Sequence, residues 1–312
     1  MNILFWMDPP STFNPQKDTT YLLIHECIQR EYNAYFINDI GIENNQFVTH
    51  VQRILPFKLG EKIQLDAASE VFNASNISSL WIRKDPPVDE NYVRDLIIFE
   101  QFSHQIHFIN HPLGILKTNE KLAATQFTDF TPATLISQNN RALIEFINKH
   151  GRCILKPLNG FGGRGILKVN KDETNVQPIL EISTQNFTTQ IVCQKAVKHE
   201  GGDKRIILLN QTAIGAINRV NHSGHRNNFM AGGHAEKAEI TPNDQKIIDA
   251  ISPTLKENGL SFVGIDIIDN HLIEINVTSP TGIQEMNKLN KTNLQKTIIN
   301  EMENTIKEKT HA

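Results

Sequence analysis

The segment GIDIIDNHLIEIN, residues 264–276, has the apolar pattern of a buried β-hairpin but carries two acids and an amide. Because strand side chains alternate between faces, Glu274 and Asn276 share a face. A two-residue turn at 269–270 would pair residue 266 with 273 and mix polar and apolar groups on both faces. A three-residue loop at 269–271 instead pairs 266 with 274 and 264 with 276, so Asp266 joins Glu274 and Asn276. This loop is therefore predicted, with the opposite face formed by Val263, Ile265, Ile267, Ile273, Ile275 and Val277.

Two carboxylates and an amide oxygen gathered on one strand face form the ligand set that a hard cation such as Mg²⁺ prefers. Asp266, Glu274 and Asn276 are the candidate metal ligands. A half-solvated sheet face with ordinary polar residues explains this stretch equally well, because one face of an antiparallel sheet often meets water.

A glycine-rich segment, NGFGGRG at 159–165, contains a formal GxGxxG at Gly160, Gly162 and Gly165. A dinucleotide-binding loop requires a strand before it and a helix after it, whereas strand patterns flank this segment on both sides. A glycine-rich hairpin can instead present backbone N–H groups to a triphosphate, and a flexible turn is the plainer explanation. Lys156 favours the phosphate site, because the apolar strand CILKPL would not bury a lysine without an anion. Lys121 is a second candidate phosphate ligand, although a helical lysine is commonly solvated.

Two arginines, Arg205 and Arg219, lie near the ends of apolar strands. The planar guanidinium holds a carboxylate or phosphate at two points, which suits an anionic substrate or a developing acyl phosphate. Structural salt bridges are the competing explanation. The turn NVTSPTG at 276–282 follows the candidate metal strand, and its hydroxyl and N–H groups are suited to a substrate carboxylate.

Composition limits the broad class of the protein. The 312 residues suit two or three packed units, and 31 basic against 34 acidic side chains give a net charge of −3. No overall basic field for nucleic acid results, and no apolar run approaches the ~20 residues of a membrane span. Cys27, Cys153 and Cys193 are few and widely spaced, which predicts free thiols in a reducing compartment. A cytoplasmic protein is the simplest expectation.

The elements that position these residues fall into two regions. Residues 1 to about 118 alternate strand and helix patterns, as in an open α/β sheet. Strands are predicted at NILFWM, AYFIND, SSLWIR and IHFIN, with helices capped by Asp18 or Thr19 and by Asp89. The segments DPP and RKDPP then follow strand ends, where open α/β sheets bind ligands.

From Thr118 onward the pattern changes to short helices and antiparallel strands. A helix begins with Thr241 as cap, Pro242 in the first position and Asp244 three residues on, and Pro253 should kink or divide it. The aperiodic stretch 221–233 is predicted to be a functional loop, a lid in which Arg226 and Asn228 meet anionic ligands.

Taken in order, the motifs RKDPP, TNEKL, ILKPLNGFGG, GGDKR, NNFMAGG and GLSFVGIDIIDNHLIEINVTSPTGIQE resemble the bacterial glutathione synthetases of the ATP-grasp superfamily over nearly the whole chain. The resemblance implies a mixed α/β and α+β fold, a pre-ATP-grasp open α/β domain followed by a two-subdomain ATP-grasp fold. The expected bounds are 1–118 for the first domain and 119–312 for the second. The second divides into a lid subdomain, about 122–196, and a C-terminal metal and substrate subdomain, about 197–312. The segments GGRGI and GHRNN depart from the family's pattern, which leaves the fine substrate preference open.

The resemblance also implies roles for single residues. Asp266, Glu274 and Asn276 match the family's metal ligands, Lys121 and Lys156 its phosphate-binding lysines, and Arg83 an arginine near the dipeptide substrate. Arg205 and Arg219 match arginines at the phosphates and acyl phosphate. The expected nucleotide site is completed by Gly160, Gly162, Gly163, Gln194 and Asn228, and the substrate site by Arg226, Ser279 and Thr281.

The implied reaction is the ATP-dependent condensation of γ-glutamylcysteine with glycine through an acyl phosphate, with Mg²⁺ or Mn²⁺. The expected partners are these small molecules, without nucleic acid or membrane, in a homo-oligomer that the resemblance makes a tetramer. An ATP-grasp ligase for another acid and amine would share every nucleotide residue. A nucleotide-binding regulator without activity would not require a complete metal triad.

Overall fold

The computed structural model describes residues 1–160, 162–198, 202–221 and 234–311, with side chains described up to residue 308. Within these ranges the chain forms three β-sheets with α-helices packed on them. No helix in the same ranges is both long and apolar enough to cross a bilayer. The predicted mixed α/β and α+β class is confirmed.

The first sheet has six strands in the order β4-β3-β2-β1-β5-β6. Strands β2, β1, β5 and β6 are parallel, whereas β3 and β4 extend the sheet as antiparallel strands that the sequence reading did not identify. The bounds are β1 Asn2–Met7, β2 Asn33–Glu43, β3 Gln46–Ile54, β4 Leu65–Asn73, β5 Ser79–Arg83 and β6 Phe108–Ile109. Met7 pairs with Arg83, so the loops after β1 and β5 leave the sheet side by side.

Three helices accompany this sheet: α1 Thr19–Gln29, α2 Glu90–Gln101 and α3 Pro112–Lys117. The Asp18 carboxylate accepts a hydrogen bond from the N–H of Tyr21, and Asp89 does the same for Tyr92. Such caps satisfy N–H groups that have no partner inside the helix. The predicted helix starts are confirmed, with Asp18 rather than Thr19 as the first cap.

The second sheet is antiparallel, in the order β7-β10-β8-β9. Helix α4 Glu120–Ala124 leads into this sheet but packs on the last strand of the third sheet. The elements of the second sheet are β7 Thr134–Ser137, α5 Asn140–His150, β8 Arg152–Pro157, β9 Leu167–Asn170, α6 Val176–Ser183 and β10 Ile191–Lys195. It has a small core of its own, in which Leu143 and Ile147 of α5 pack on Leu155 and Cys193 of the sheet. The opposite face of the sheet carries Arg152, Ile154 and Lys156, which line a cavity.

The third sheet has the order β13-β12-β11-β14-β15 and is antiparallel throughout. Its elements are β11 Asp203–Leu209, β12 Thr212–Val220, β13 His234–Lys237, α7 Pro242–Glu257, β14 Phe262–Ile268, β15 His271–Asn276, α8 Ile283–Asn290 and α9 Leu294–His311. The predicted capping box of Thr241 and Asp244 is present. The expectation that Pro253 divides α7 is wrong, because the helix continues through it with Ile251 and Leu255 buried on either side.

The first and third sheets share apolar cores. One cluster joins Leu80 and Phe99 to Ile248 and Ile265, and in another the indole N–H of Trp81 meets the Met302 sulfur at 3.3 Å. Among the described residues, the separate apolar core of the second sheet is formed by that sheet with α5 and α6. The division of the chain at residue 118 and the subdomain bounds remain predictions.

Candidate active site

A cavity of about 600 Å³ lies between the second and third sheets and extends to the ends of β1 and β5. Its walls carry most of the residues that the sequence singled out. They come from the glycine-rich turn after β8, the β14–β15 hairpin, strands β10 to β12 and the turn after β15. Arg226 and Asn228 lie outside the described residues.

The β14–β15 hairpin has the predicted register at the candidate metal site. Asp266 pairs with Glu274 and Gly264 with Asn276, and all three polar side chains face the cavity. The predicted three-residue loop is wrong. The turn has two residues, Asp269 and Asn270, with φ of 47° and 62°, as a tight hairpin turn requires.

A β-bulge reconciles the short turn with the predicted register. Ile267 pairs with Leu272 and Ile268 with His271, so β15 has one more residue than β14 before the pairing of Asp266 with Glu274. Leu272 is therefore fully buried in the core, whereas Ile273, predicted for the core, lines the cavity beside Glu274.

A buried ion network surrounds Asp266. Arg205 holds both of its oxygens, with Nε–Oδ1 at 2.5 Å and Nη2–Oδ2 at 2.9 Å. The Arg219 Nη2 atom lies 2.9 Å from Asp266 Oδ2 and 2.6 Å from Asp203 Oδ2. Burial opposes ionisation of Asp266, but Arg205 and Arg219 outweigh it and hold the pKa of this carboxyl well below its ordinary range. Burial raises the pKa of Asp203 to about 6 against the opposing effect of Arg219.

The salt-bridge explanation of the arginines is confirmed, and their role toward an anionic ligand stays a prediction. Arg205 and Arg219 form salt bridges, and both also line the cavity. Within the described part of the chain, Arg219 Nε and Asp203 Oδ1 are buried without a hydrogen-bond partner. Asp203 was not identified from the sequence, although it lies two residues before Arg205 in GGDKR and so on the same strand face.

The oxygen donors of the hairpin fit a hard divalent cation. The Asn276 amide nitrogen donates to the Gly264 carbonyl at 3.2 Å, which leaves its side-chain oxygen for a ligand. The Glu274 Oε1 atom lies 3.8 Å from the Lys121 ammonium. No group of three or more His, Cys, Asp and Glu side chains that could hold a metal occurs among the described residues. The candidate set therefore depends on the Asn276 amide as its third ligand.

The two candidate phosphate lysines are both buried, with 5% of Lys156 and 7% of Lys121 exposed. The solvated alternative for Lys121 is thereby excluded. Lys156 donates to Gln194 Oε1 at 2.9 Å, and Gln194 in turn donates to Thr134 Oγ1 at 2.9 Å. Burial lowers the pKa of Lys156, opposed by Glu274. Lys121 donates to the Gly160 carbonyl, so it joins the glycine-rich turn to Glu274.

The glycine-rich turn connects two antiparallel strands, β8 and β9, which confirms that it is not a dinucleotide-binding loop. Gly162 and Gly163 have φ of 58° and 75°, a backbone conformation that favours glycine. A Cβ on Gly160 would lie 2.8 Å from Pro157 Cγ. The three glycines line the cavity and place backbone, rather than side chains, on its wall.

Arg83 is placed differently from the other candidates, because it lies behind the cavity wall. Its Nε donates to Thr20 Oγ1 at 3.0 Å and its Nη2 to the Pro280 carbonyl at 2.9 Å, and its guanidinium lies 5.3 Å from the Phe262 ring centre. Burial lowers the pKa of Arg83 to about 10. Its side chain thus supports the turn after β15, whose Ser279 and Thr281 do line the cavity.

Several lining residues were missed by sequence reasoning. They include the loop residues Thr12, Asn14 and Lys17, the acids Asp18, Asp85 and Glu285, and Glu120. The proline-rich loops after β1 and β5 were expected at a ligand site, and this expectation could have identified the loop residues among them. For Glu120, the one indication in the sequence was its position next to Lys121, a candidate phosphate ligand.

Comparisons with known proteins agree with this geometry. Two family models match: the N-terminal domain of prokaryotic glutathione synthetase over residues 1–115 and the ATP-grasp domain of the same family over residues 120–291. The chain belongs to the prokaryotic glutathione synthetase family. Membership of this family implies an ATP-grasp ligase that acts on small molecules and uses ATP with a divalent metal.

Curated members of the glutathione synthetase family are similar over almost their whole length. The glutathione synthetase of Thermosynechococcus vestitus is 35% identical, with 94% of this chain and 97% of that protein aligned. The enzyme of Nitrosomonas europaea is 32% identical, with 99% of each chain aligned.

Solved structures share the fold at low sequence identity. D-cycloserine synthetase DcsG aligns with a TM-score of 0.64 at 12% identity, over 92% of this chain and 94% of that one. Macrocyclase MdnC of Microcystis aeruginosa, bound with precursor peptide MdnA, aligns with a TM-score of 0.62 at 16% identity, over 97% of this chain and all of that one.

Proposed function

We propose that this chain joins γ-glutamylcysteine to glycine and forms glutathione, with ATP converted to ADP and phosphate through an acyl phosphate. The observation that carries the proposal is one continuous cavity with two chemically different ends. Buried lysines, arginines and glycine backbone line one end, and groups suited to an amino-acid substrate line the other.

The first end is suited to ATP. Ile154 of β8, Ile166 just before β9, and Ile268 and Ile273 of the hairpin line this end, and their aliphatic side chains suit a flat base. Lys121, Lys156 and the glycine-rich turn would meet the phosphates. Gln194 fixes the ammonium of Lys156 and would thus set where a phosphate oxygen binds.

Asp266, Glu274 and Asn276 would hold Mg²⁺, and the same oxygen set accepts Mn²⁺. When bound, the metal would offset charge on the transferring phosphoryl group. Arg205 and Arg219 are buried and held by Asp203 and Asp266, so their N–H groups are already oriented when the substrate carboxylate becomes an acyl phosphate.

The other end of the cavity suits the dipeptide. Lys17 lies there with the half-buried carboxylates of Asp18 and Glu285 and the exposed one of Asp85. This mixture of charges matches the ammonium and carboxylate of a γ-glutamyl group. Burial raises the pKa of each of these three carboxyls. In the turn after β15, Ser279 and Thr281 would receive a substrate carboxylate, with Arg83 holding that turn from behind.

Localisation and assembly are parts of the same proposal. The free thiols of Cys27, Cys153 and Cys193 suit the reducing cytoplasm, where ATP is available. A homo-oligomer, a tetramer by resemblance to the family, without nucleic acid or membrane as partner, is the proposed state.

The test is the release of ADP together with mass spectrometry of the product. We expect glutathione only when ATP, divalent metal, γ-glutamylcysteine and glycine are all present. Replacing glycine by other amines, or the dipeptide by other acids, tests an ATP-grasp ligase of different specificity. Faster product formation with another acid and amine would overturn the proposal, and ADP release without either substrate would indicate a mere ATPase.

A further inference from the structure

The cap of helix α4 and the first two residues of the helix, Asn119, Glu120 and Lys121, have side chains that reach both walls of the cavity. The Asn119 amide donates to the Leu158 carbonyl at 3.2 Å, and the Lys121 ammonium donates to the Gly160 carbonyl, both in the glycine-rich wall. Between them, Glu120 Oε1 accepts from the Val277 N–H at 3.0 Å, the Thr278 N–H at 3.2 Å and the Thr278 hydroxyl at 2.9 Å. Glu120 itself lines the cavity.

The end of the candidate metal strand explains why this acceptor is needed. Strand β15 ends at Asn276, and the next two residues are buried, with 0% of Val277 and 3% of Thr278 exposed. Buried backbone groups that have left a sheet require other partners. Glu120 supplies the acceptor for two N–H groups, and the Asn110 amide donates to the Val277 carbonyl at 2.8 Å. Both sides of the strand end are therefore held by side chains.

We propose that Glu120 is a positioning residue for the ligase reaction. Its carboxylate fixes the strand end between Asn276, one residue before the contact, and Ser279, one residue after it. Because Lys121 follows on the same helix, Glu120 sets the distance between the phosphate lysine and the metal ligands. This inference rests on the proposed function and adds to it a residue that acts through the backbone of Val277 and Thr278.

A direct role of Glu120, as a ligand of metal or substrate, makes a different prediction. Thr278 contacts Glu120 through its hydroxyl, and Thr278→Val removes that contact with almost no change of shape. If Glu120 acts by positioning, Thr278→Val must weaken metal binding and lower kcat, as Glu120→Ala does. Thr278 also lines the cavity. If each side chain instead acted on ligands by itself, the effects of Thr278→Val and Glu120→Ala would add in the double variant.

The experiment measures binding of Mn²⁺, by its electron paramagnetic resonance, to the full chain with a non-hydrolysable ATP analogue. We expect Thr278→Val to weaken Mn²⁺ binding and lower kcat by about tenfold, the worth of one charge-assisted hydrogen bond, and Thr278→Ser to restore both. Glu120→Ala should cost more, and the double variant should be no worse than Glu120→Ala, because one interaction cannot be lost twice.

Wild-type Mn²⁺ binding by Thr278→Val, or additive effects in the double variant, would overturn the proposal. Glu303→Gln is the control for a purely structural role, since it removes a partly buried carboxylate that bonds Arg30 and Tyr32 far from the cavity. The Glu303→Gln variant should have a lower Tm and unchanged Mn²⁺ binding. Mn²⁺ binding does not depend on which acid and amine react. A wild-type chain that makes no glutathione would thus overturn the proposed function and leave the positioning role to be judged by these variants.

Discussion

Arg205 and Asp266 lie directly opposite each other on β11 and β14, and the guanidinium meets both carboxylate oxygens, at 2.5 and 2.9 Å. The residue proposed to hold the acyl phosphate is thus bound to a residue proposed to hold the metal. Both side chains are buried, so removing Asp266 deprives Arg205 of its carboxylate partner, whereas removing Arg205 leaves Asp266 with Arg219 alone. The proposed phosphate and metal sites therefore share this ion pair on the third sheet.

Arg205→Lys should keep the positive charge but lose the two-point contact with Asp266. We expect a folded enzyme whose kcat falls about a hundredfold, the scale of one misplaced transition-state contact, with little change in KM for ATP. Steady-state kinetics test this, with Arg141→Lys on the exposed face of α5 as the matched control. An unchanged kcat would remove Arg205 from the catalytic assignment.

Glu274→Gln keeps the shape of the side chain and removes the charge that would hold the metal. A loss of about 3 to 4 kcal/mol of transition-state stabilisation is the expected scale. When activity is measured against Mg²⁺ concentration, half-maximal activity should require more Mg²⁺ than in the wild type, and the maximal activity should be low. Near-normal turnover at saturating Mg²⁺ would contradict the assignment.

Lys156→Met should raise KM for ATP while leaving Tm unchanged or higher. The ammonium is buried with an amide as its hydrogen-bond partner, so burial without a bound anion is unfavourable and methionine relieves it. Thermal unfolding and KM measurements test both parts, with the exposed Lys149→Met as control. A large drop in Tm with an unchanged KM for ATP would mean that Lys156 is structural.

Arg83→Ala should raise KM for the dipeptide and leave KM for ATP nearly unchanged, because Arg83 supports the Pro280 carbonyl from behind the substrate turn. Tm should also fall, since a buried network loses its donor. Arg53→Ala, an exposed arginine of β3, is the control. An effect on KM for ATP alone would contradict the placement of the dipeptide.

Glu303→Gln should lower Tm near neutral pH by about 2 °C, a typical effect of about 1 kcal/mol in a chain of this size. Burial opposes ionisation of Glu303, but hydrogen bonds from Arg30 and Tyr32 outweigh it and lower the pKa of this carboxyl. A depressed carboxyl pKa stabilises the fold above the ordinary glutamate range, and the benefit is lost as pH falls through the folded pKa. The Tm difference between variant and wild type should therefore close in acid. A difference independent of pH would show that the ion pair is not its cause.

Local rules predicted much of the site. Alternation of side chains placed Asp266, Glu274 and Asn276 on one face, and the cost of burying an unpaired ammonium identified Lys156. Glu274 with Asn276, and Lys156, each concern a single strand, whose geometry depends little on the rest of the chain. The placement of Asp266 also required the hairpin register, which was predicted correctly but with a loop one residue too long. The helix starts at Asp18 and Asp89 followed from capping for the same reason.

Features that depend on distant contacts could not be predicted. The bulge at Ile273 arises where a two-residue turn must be reconciled with a register fixed by the third sheet. Arg83 leaves the cavity wall because Thr20 and Pro280, far away in sequence, accept its hydrogen bonds. In the sequence, Glu120 is an ordinary acid in the first turn of a helix, and its contact with the end of β15 is seen only in the fold.

Transfer of oxygen from the dipeptide carboxylate to phosphate tests the central claim most directly. The enzyme is supplied with ATP, Mg²⁺, glycine and γ-glutamylcysteine labelled with ¹⁸O in both oxygens of its cysteine carboxylate, and the released phosphate is examined by mass spectrometry. An acyl phosphate keeps one labelled oxygen in its bridge, so each phosphate released should carry one ¹⁸O and each glutathione should retain the other in its new amide. Release of unlabelled phosphate during glutathione formation, or labelled phosphate without glutathione, would contradict the account.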